Sequence, residues 1–378
     1  MPLSTFPESI MPTPHADSSA ISTQDRYSRQ ILFPGIGISG QQALAAAHVA
    51  IIGCGATGAA AAALLARAGV GSLTLIDRDF VEPSNLQRQI LFDEADALQS
   101  LPKAEAARRK IALFNSAISV HPHVADLVPA NIHQLLAPAH LILDATDNFE
   151  TRYLLNDYAV QQAKPWIYAA AIGAYAASMN ILPKTNQTDS VPAPTSFAPT
   201  ACLACIFPKP PSGPVETCDT AGILSTAVNL AASIQVTEAL KFLTGQSQLM
   251  RRTLLSFDLW ASEPNGSLNR SEINTSTPDP NCSVCGQNLF THLAGEGRPH
   301  ITLCGRNSVQ IHEHHRPVDF AAMQNRLAPH GNVRFNDLLL RFDRPPHTIS
   351  LFRDGRAIIQ GTTDVTLARS LYARFIGS

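Results

Sequence analysis

Charge and aromatic side chains are scarce in this chain. Of its 378 residues, 15% are Asp, Glu, Lys or Arg and 6% are Phe, Trp or Tyr. The charges nearly cancel, leaving a formal net charge of −2. That balance provides no broad electrostatic footprint for a nucleic acid or an anionic membrane, and neither is expected as a partner. The one tight basic cluster, Arg108-Arg109-Lys110, reads most simply as a solvated helix face. The N-terminus is polar and Pro-rich, without the basic start and continuous apolar core of a secretory signal. A long hydrophobic run is also missing. Val49 to Ala66 carries no charged residue, yet its glycines and small alanines describe a strand, a turn and a helix, not a membrane span. The expected location is cytoplasmic. No internal repeat is visible.

Apolar residues make up 45% of the chain, enough for a real core, and the length suggests two or three domains. Residues 1–22 read as a flexible arm. From 23 to about 290, strand and helix signals alternate: Val49–Ile52, a glycine turn, Ala59–Ala68, Ser72–Ile76, then "HLILDATDN" (140–148), "KPWIYAAAIG" (164–173) and "RRTLLSFDLW" (251–260). Between the last two lie a Pro-rich stretch over 182–217 and a helix from about Gly222 to Leu243. This pattern predicts an α/β fold: a Rossmann-like, mostly parallel sheet with flanking helices and ligands at the carboxyl ends of its strands. Residues 298–378 form a separate small α+β domain, expected as β-α-β-β-β-α, with a final helix burying Ala368, Leu371, Tyr372 and Phe375.

Within the glycine turn, Gly53, Gly55 and Gly58 fit G-x-G-x-x-G, and Asp77 stands at the end of the second strand, where an acidic residue meets ribose hydroxyls. Alone this would say dinucleotide. The residues that follow argue for a triphosphate. Asn85, Arg88 and Lys103 supply amides and cations, while Asp77, Asp79 and Asp147 supply carboxylates suited to ribose and Mg²⁺. Hydride transfer has little use for that set, whereas attack on ATP needs its charge neutralised. Bland alternatives exist for each. Arg88 and Lys103 could be solvated helix charges, Asp147 an N-cap for a helix over 149–160, and Arg29 an ordinary surface arginine.

Seven cysteines are present, at 54, 202, 205, 218, 282, 285 and 304. Cys202-x-x-Cys205 and Cys282-x-x-Cys285 suit a tetrahedral, structural Zn²⁺ clip joining distant segments; the alternatives are free thiols or a redox pair. The histidines of "IHEHHRP" (311–317) read as exposed side chains. Cys54 reads as a small buried residue, and Cys304 receives no role. Cys218 precedes the predicted Gly222 helix, whose positive end would lower a thiol pKa; Asp219 and Thr220 are candidate caps there.

Taken together, R-x-x-R-Q (Arg26, Arg29, Gln30), D-x-D (Asp77, Asp79), S-N-L-Q-R-Q (Ser84–Gln89), P-K-A-E (Pro102–Glu105), D-x-T-D-N (Asp144–Asn148) and the paired C-x-x-C resemble the MoeB/ThiF/HesA family. These relatives of ubiquitin-activating enzymes adenylate the C-terminal glycine of small sulfur-carrier proteins. The resemblance covers about 24–290. It implies that Asp77 binds the ribose, that Asn85, Arg88 and Lys103 bind the triphosphate, and that Asp147 holds Mg²⁺ with Asn148 beside it. Ser84, Asp79 and the turn residues Gly53, Gly55, Ala56 and Gly58 then line the nucleotide. Arg29 would reach the phosphates from the partner subunit of a homodimer. Ala56 departs from the family's usual G-x-G-G-x-G, where a glycine amide approaches phosphate. Cys218 falls where some members carry a reactive cysteine. The implied partners are a ubiquitin-like carrier ending in Gly-Gly and a sulfur donor such as a cysteine desulfurase or rhodanese, serving thiamin, molybdopterin or another sulfur pathway. Residues 298–378 are expected to be dispensable for adenylation. An NAD(P)-dependent oxidoreductase and a non-catalytic scaffold are the competing readings.

Overall fold

A computed structural model describes residues 23–184, 197–210, 218–263, 266–295, 302–303, 308–311, 318–336, 338–353 and 355–377. The N-terminal arm, Cys304 and the histidines at 312, 314 and 315 lie outside them.

Short, apolar stretches build the centre of the main sheet, and polar, exposed strands form its two edges. Strands β1 (His48–Ile52), β2 (Ser72–Ile76), β3 (Ser119–His123), β4 (Leu141–Asp144) and β5 (Trp166–Ile172) run parallel. Strands β6 (Tyr175–Ile181), β7 (Thr253–Ser262) and β8 (Leu268–Asn274) extend the sheet antiparallel, giving the order β3-β2-β1-β4-β5-β6-β7-β8. Alternation along the strands separates two cores. Val49, Ile51, Leu141 and Leu143 pack on one side with the helices Ala56–Ala68 and Ser225–Leu243; Ala50, Ile52 and Ile142 pack on the other with the helix Phe149–Gln161. Burial on both faces explains why β1 and β4 read as continuous apolar runs.

The strand order reverses between β1 and β4, and in open α/β sheets that switch point opens a crevice beyond the strand ends. Gln235, fully buried on the helix Ser225–Leu243, fixes its floor. Its Nε2 donates to the carbonyls of Asp144 at 2.8 Å and Ile167 at 2.7 Å, tying neighbouring strands together.

A second sheet forms in the C-terminal unit from β9 (Thr302–Leu303), β10 (Ser308–Ile311), β11 (Asn332–Phe335), β12 (Leu339–Arg344), β13 (His347–Phe352) and β14 (Ala357–Gln360), in the order β11-β12-β13-β14-β10-β9. The helices Phe320–Leu327 and Val365–Phe375 cover it, and the latter buries Ala368, Tyr372 and Phe375 as the sequence suggests, while Leu371, at the edge of the same face, is only partly buried. The strand count exceeds the expected β-α-β-β-β-α: two strands precede the first helix and four follow it. The extra pairings are antiparallel and short, so no long periodic run announces them. This unit leans on the main domain through a small apolar cluster of Phe80, Leu339, Phe352 and Ile358, with Val124 against it.

Candidate nucleotide site and cysteine clip

The glycine turn leaves β1 at the switch point. Gly53 has φ +88°, and a side chain there would come within 2.7 Å of the Ala145 carbonyl oxygen. A Cβ on Gly58 would fall 1.8 Å from the Gly53 carbonyl oxygen, so only glycine lets the helix seat this tightly on the turn. At Gly55 a Cβ would meet nothing within 4 Å; the chain here faces open space. Ala56 is the first residue of the helix Ala56–Ala68 and is not among the residues with positive φ. Its methyl group therefore costs the turn nothing, and its N–H belongs to the first-turn donors that suit an anion.

Asp77 directly follows β2 with both carboxylate oxygens engaged: the Cys54 N–H donates to Oδ2 at 2.6 Å and the Asp79 N–H to Oδ1 at 2.7 Å. Burial raises its pKa, against the opposing pull of Lys103 and these two amides. Cys54 is fully buried, and its thiol is pushed well up by desolvation, which suits its role as a packing residue.

Lys103 is not a solvated helix charge. It opens the helix Lys103–Phe114 and is only 2% exposed, with Nζ 3.3 Å from Asp79 Oδ2 and its N–H bonded to the Asp79 carbonyl at 2.8 Å. Asn85 is buried in a short 3₁₀ turn, where its side chain accepts from the Glu82 N–H at 3.1 Å. Arg88 follows on that turn, donating to the Ser84 carbonyl at 2.8 Å. The Arg108-Arg109-Lys110 cluster is a helix face paired with Glu105, Asp93 and Asp96.

After β4 the chain reaches Asp147, which is exposed. The N-cap alternative falls to its neighbour: Asn148 caps the helix Phe149–Gln161, accepting from the Thr151 N–H at 2.8 Å. Asp147 is thereby left for other ligands. Sequence reasoning missed the residue that shapes this loop. Arg152 is buried, with Nε 3.3 Å from the fully buried Asp144 Oδ2 and Nη2 donating to the Thr146 carbonyl at 2.5 Å. Thr146 in turn donates to Asp144 Oδ1 from its N–H at 2.9 Å and its hydroxyl at 2.7 Å. The signal was present in the sequence, an arginine one turn inside a predicted helix after D-x-T-D-N, but its inward orientation was not.

Arg29 sits in the last turn of the helix Thr23–Ile31, on its exposed face. That helix is anchored by Tyr27, which accepts from Asn115 at 2.9 Å, and by Gln30, which donates to the Ala68 carbonyl at 2.8 Å. The helix at Gly222 needs correction. Gly222 has φ +72° and breaks the segment, so a short helix covers Cys218–Ala221 and the long one begins at Ser225. Asp219 and Thr220 therefore do not cap it, and the side chain of Cys218 lies outside the described residues.

Cys202, Cys205, Cys282 and Cys285 converge, with all four sulfurs within 4.8 Å of one another. Measured S···S separations are 3.3 Å (Cys205–Cys285), 3.6 Å (Cys202–Cys282) and 3.8 Å (Cys202–Cys205). A disulfide needs about 2.05 Å, whereas four thiolates around zinc at about 2.3 Å stand roughly 3.8 Å apart. The donor set fits a structural zinc. A bond from the Ala201 N–H to the Thr275 carbonyl at 2.9 Å brings the two loops together. Asn156 backs the cluster, accepting from the Leu203 N–H at 2.8 Å with Nδ2 3.7 Å from the Cys202 sulfur.

The chain has known relatives. Residues 27–284 match the ThiF family. The chain belongs to it. Over 356 residues the chain is 42% identical to the sulfur carrier protein ThiS adenylyltransferase of Bacillus subtilis, covering 93% of this chain and 99% of that one. A sulfur carrier protein adenylyltransferase of Thermus thermophilus is 35% identical over 69% of this chain and 90% of its own length. Among solved structures, E. coli MccB with ATP superposes with a TM-score of 0.56 at 26% identity, over 69% of this chain and 74% of that one. Among the described residues no helix is long and apolar enough to cross a membrane.

Proposed function

We propose that this protein is an ATP-dependent adenylyltransferase of a small, ubiquitin-like sulfur-carrier protein. The observation that carries the reading is the gathering of Asp77, Asp79, Lys103 and the Gly53–Gly58 turn at the switch-point crevice, with Asp147 on the loop beyond β4. The carrier's C-terminal carboxylate attacks the α-phosphorus of ATP, the bond to the bridging oxygen breaks, and diphosphate leaves with an acyl-adenylate formed. No side-chain base is needed, because that carboxylate is already ionised at neutral pH. Asp77, held rigid by two backbone amides, orients the ribose. Lys103, Arg88 and Asn85 neutralise and place the triphosphate, and buried Lys103 does so with little solvent screening.

Mg²⁺, held by Asp147, would supply further charge neutralisation on the phosphates. Zn²⁺ in the four-cysteine clip is structural, since four thiolates leave no open position. Arg29, exposed on its helix, serves the active site of a second copy in a homodimer. A sulfur donor then converts the adenylate to a thiocarboxylate. Hydride transfer fits this crevice poorly, because buried Lys103 and half-buried Asp79 form a charge pair that a nicotinamide pocket does not need. A binding scaffold has no use for the set as a whole.

The test is ATP–pyrophosphate exchange with a carrier ending in Gly-Gly. Carrier-dependent exchange is expected, and its absence with a folded, zinc-loaded protein would refute the assignment.

A further inference from the structure

Arg78 stands between Asp77 and Asp79, yet its guanidinium points to neither alone. Its Nη1 lies 2.7 Å from Asp126 Oδ1, and its Nε is 4.0 Å from Asp79 Oδ1. Burial pulls its pKa down, but Asp126, Asp79 and Asp147 together outweigh that and raise it, so Arg78 sits within the field of both D-x-D and the Asp147 loop. Asp126 follows β3, and its second oxygen faces the C-terminal unit. There Oδ2 lies 3.5 Å from Arg356 Nη1 and accepts a hydrogen bond from Gln310 Nε2. Arg356 is 2% exposed, donates to the Val124 carbonyl at 3.2 Å and stacks 3.9 Å over Phe352. The apolar cluster around Phe80 closes the same junction. One carboxylate, largely shielded from water, thus joins an arginine of the nucleotide crevice to the C-terminal unit.

We propose that Asp126 is a positioning residue through which the C-terminal unit sets the affinity of the crevice for Mg·ATP, by holding the Arg78 guanidinium back from Asp79 and Asp147. The inference rests on the reading of those two aspartates as nucleotide and magnesium ligands. A guanidinium released from Asp126 starts 4.0 Å from Asp79 Oδ1 and within the field of Asp147, and each closer pairing it makes competes directly with the cation. Gln310 keeps Asp126 turned so that its other oxygen faces Arg78. On this account residues 298–378 are not dispensable for tight nucleotide binding, although they touch no reacting atom.

The experiment uses the full-length protein and calorimetric titration with Mg·ATP, repeated across a range of free Mg²⁺. Asp126→Asn is expected to weaken binding about 10-fold and to raise the Mg²⁺ requirement, within the range found for residues sharing one charged network. Gln310→Ala, on the C-terminal unit, is expected to weaken it about 3-fold and serves should Asp126→Asn fold poorly. The deciding variants add Arg78→Met to each. With the competing guanidinium gone, affinity and Mg²⁺ requirement are expected to return to within about 3-fold of the wild type. A merely structural Asp126 would gain nothing from the second substitution, and absence of that rescue overturns the proposal. So does an unchanged Asp126→Asn isotherm beside a normal wild-type one. Failure of the wild-type chain itself to bind Mg·ATP would overturn the nucleotide-site reading, and this proposal with it.

Discussion

Replacing Arg152 by methionine is expected to destabilise the main domain by about 3–5 kcal/mol at neutral pH, the cost of stranding a buried charge. The magnitude follows from the geometry. Asp144 is fully buried, and its Oδ2 lies 3.3 Å from Arg152 Nε. At an effective dielectric constant of about 20, Coulomb's law gives about 5 kcal/mol at that distance. The sign of the pH dependence is also fixed. Burial already raises the Asp144 pKa, and Arg152 opposes that shift. A carboxyl whose pKa is raised on folding favours the folded state below its unfolded pKa, and that contribution is lost as pH rises through the folded value. Without Arg152 the folded pKa climbs further, so the penalty is largest near pH 8 and shrinks towards pH 5.5. Urea unfolding can be followed by fluorescence of buried Trp166, whose strand β5 pairs with β4 beside Asp144, in a Trp260→Phe background that removes the exposed tryptophan. Adding Asp144→Asn to Arg152→Met should recover most of the loss. A loss equal at both pH values, or a double variant no more stable than the single one, would refute the reasoning.

Metal analysis is expected to give about one zinc per chain, and Cys282→Ser to lower stability more than affinity for ATP; an active, folded, metal-free preparation would remove the clip. Arg29→Ala and Asp147→Ala are each expected to lose at least about 100-fold in exchange activity, by analogy with losing one charge-stabilising donor. Mixed subunits of the two should regain part of it, and no recovery despite proven subunit exchange would place Arg29 outside the partner's site. Cys218→Ala should keep ATP–pyrophosphate exchange while reducing thiocarboxylate formation, measured by mass spectrometry of the carrier; unchanged sulfur transfer would make the residue structural.

Much of the nucleotide half could be read from the chain because its constraints are local. Gly53 and Gly58 occupy positions where a side chain would strike backbone, and β2 begins and ends at Ser72 and Ile76, the boundaries its pattern suggested. The cysteine clip was legible for a different reason: four like ligands in two C-x-x-C pairs have few uses. What stayed hidden depends on orientation or on long-range contact. An arginine at 152 looks like any helix charge until the fold turns it onto Asp144. Lys103 and Arg88 look alike in sequence, yet one is buried and the other half-exposed. The break at Gly222 needed a backbone angle. In the C-terminal unit, short antiparallel strands such as Asn332–Phe335 carry too few residues for a period to emerge. The Asp126 junction joins residues from four separate stretches of chain, and no spacing rule relates them.

The shared carboxylate at the end of β3 also limits how this protein can be recombined. A domain attached only by a linker can be moved between relatives as a unit. Here the C-terminal unit brings a buried arginine, Arg356, that pairs with a carboxylate of the other domain. Transplanted onto a ThiF-type domain without an acid at that place, it would lose this ion pair at a junction sealed by Phe80 and Phe352. The reverse chimera would strand Asp126 with a single arginine. The exchangeable module is therefore larger than the C-terminal fold: it includes the loop after β3 and the residue between the two aspartates of D-x-D, and those positions must travel together.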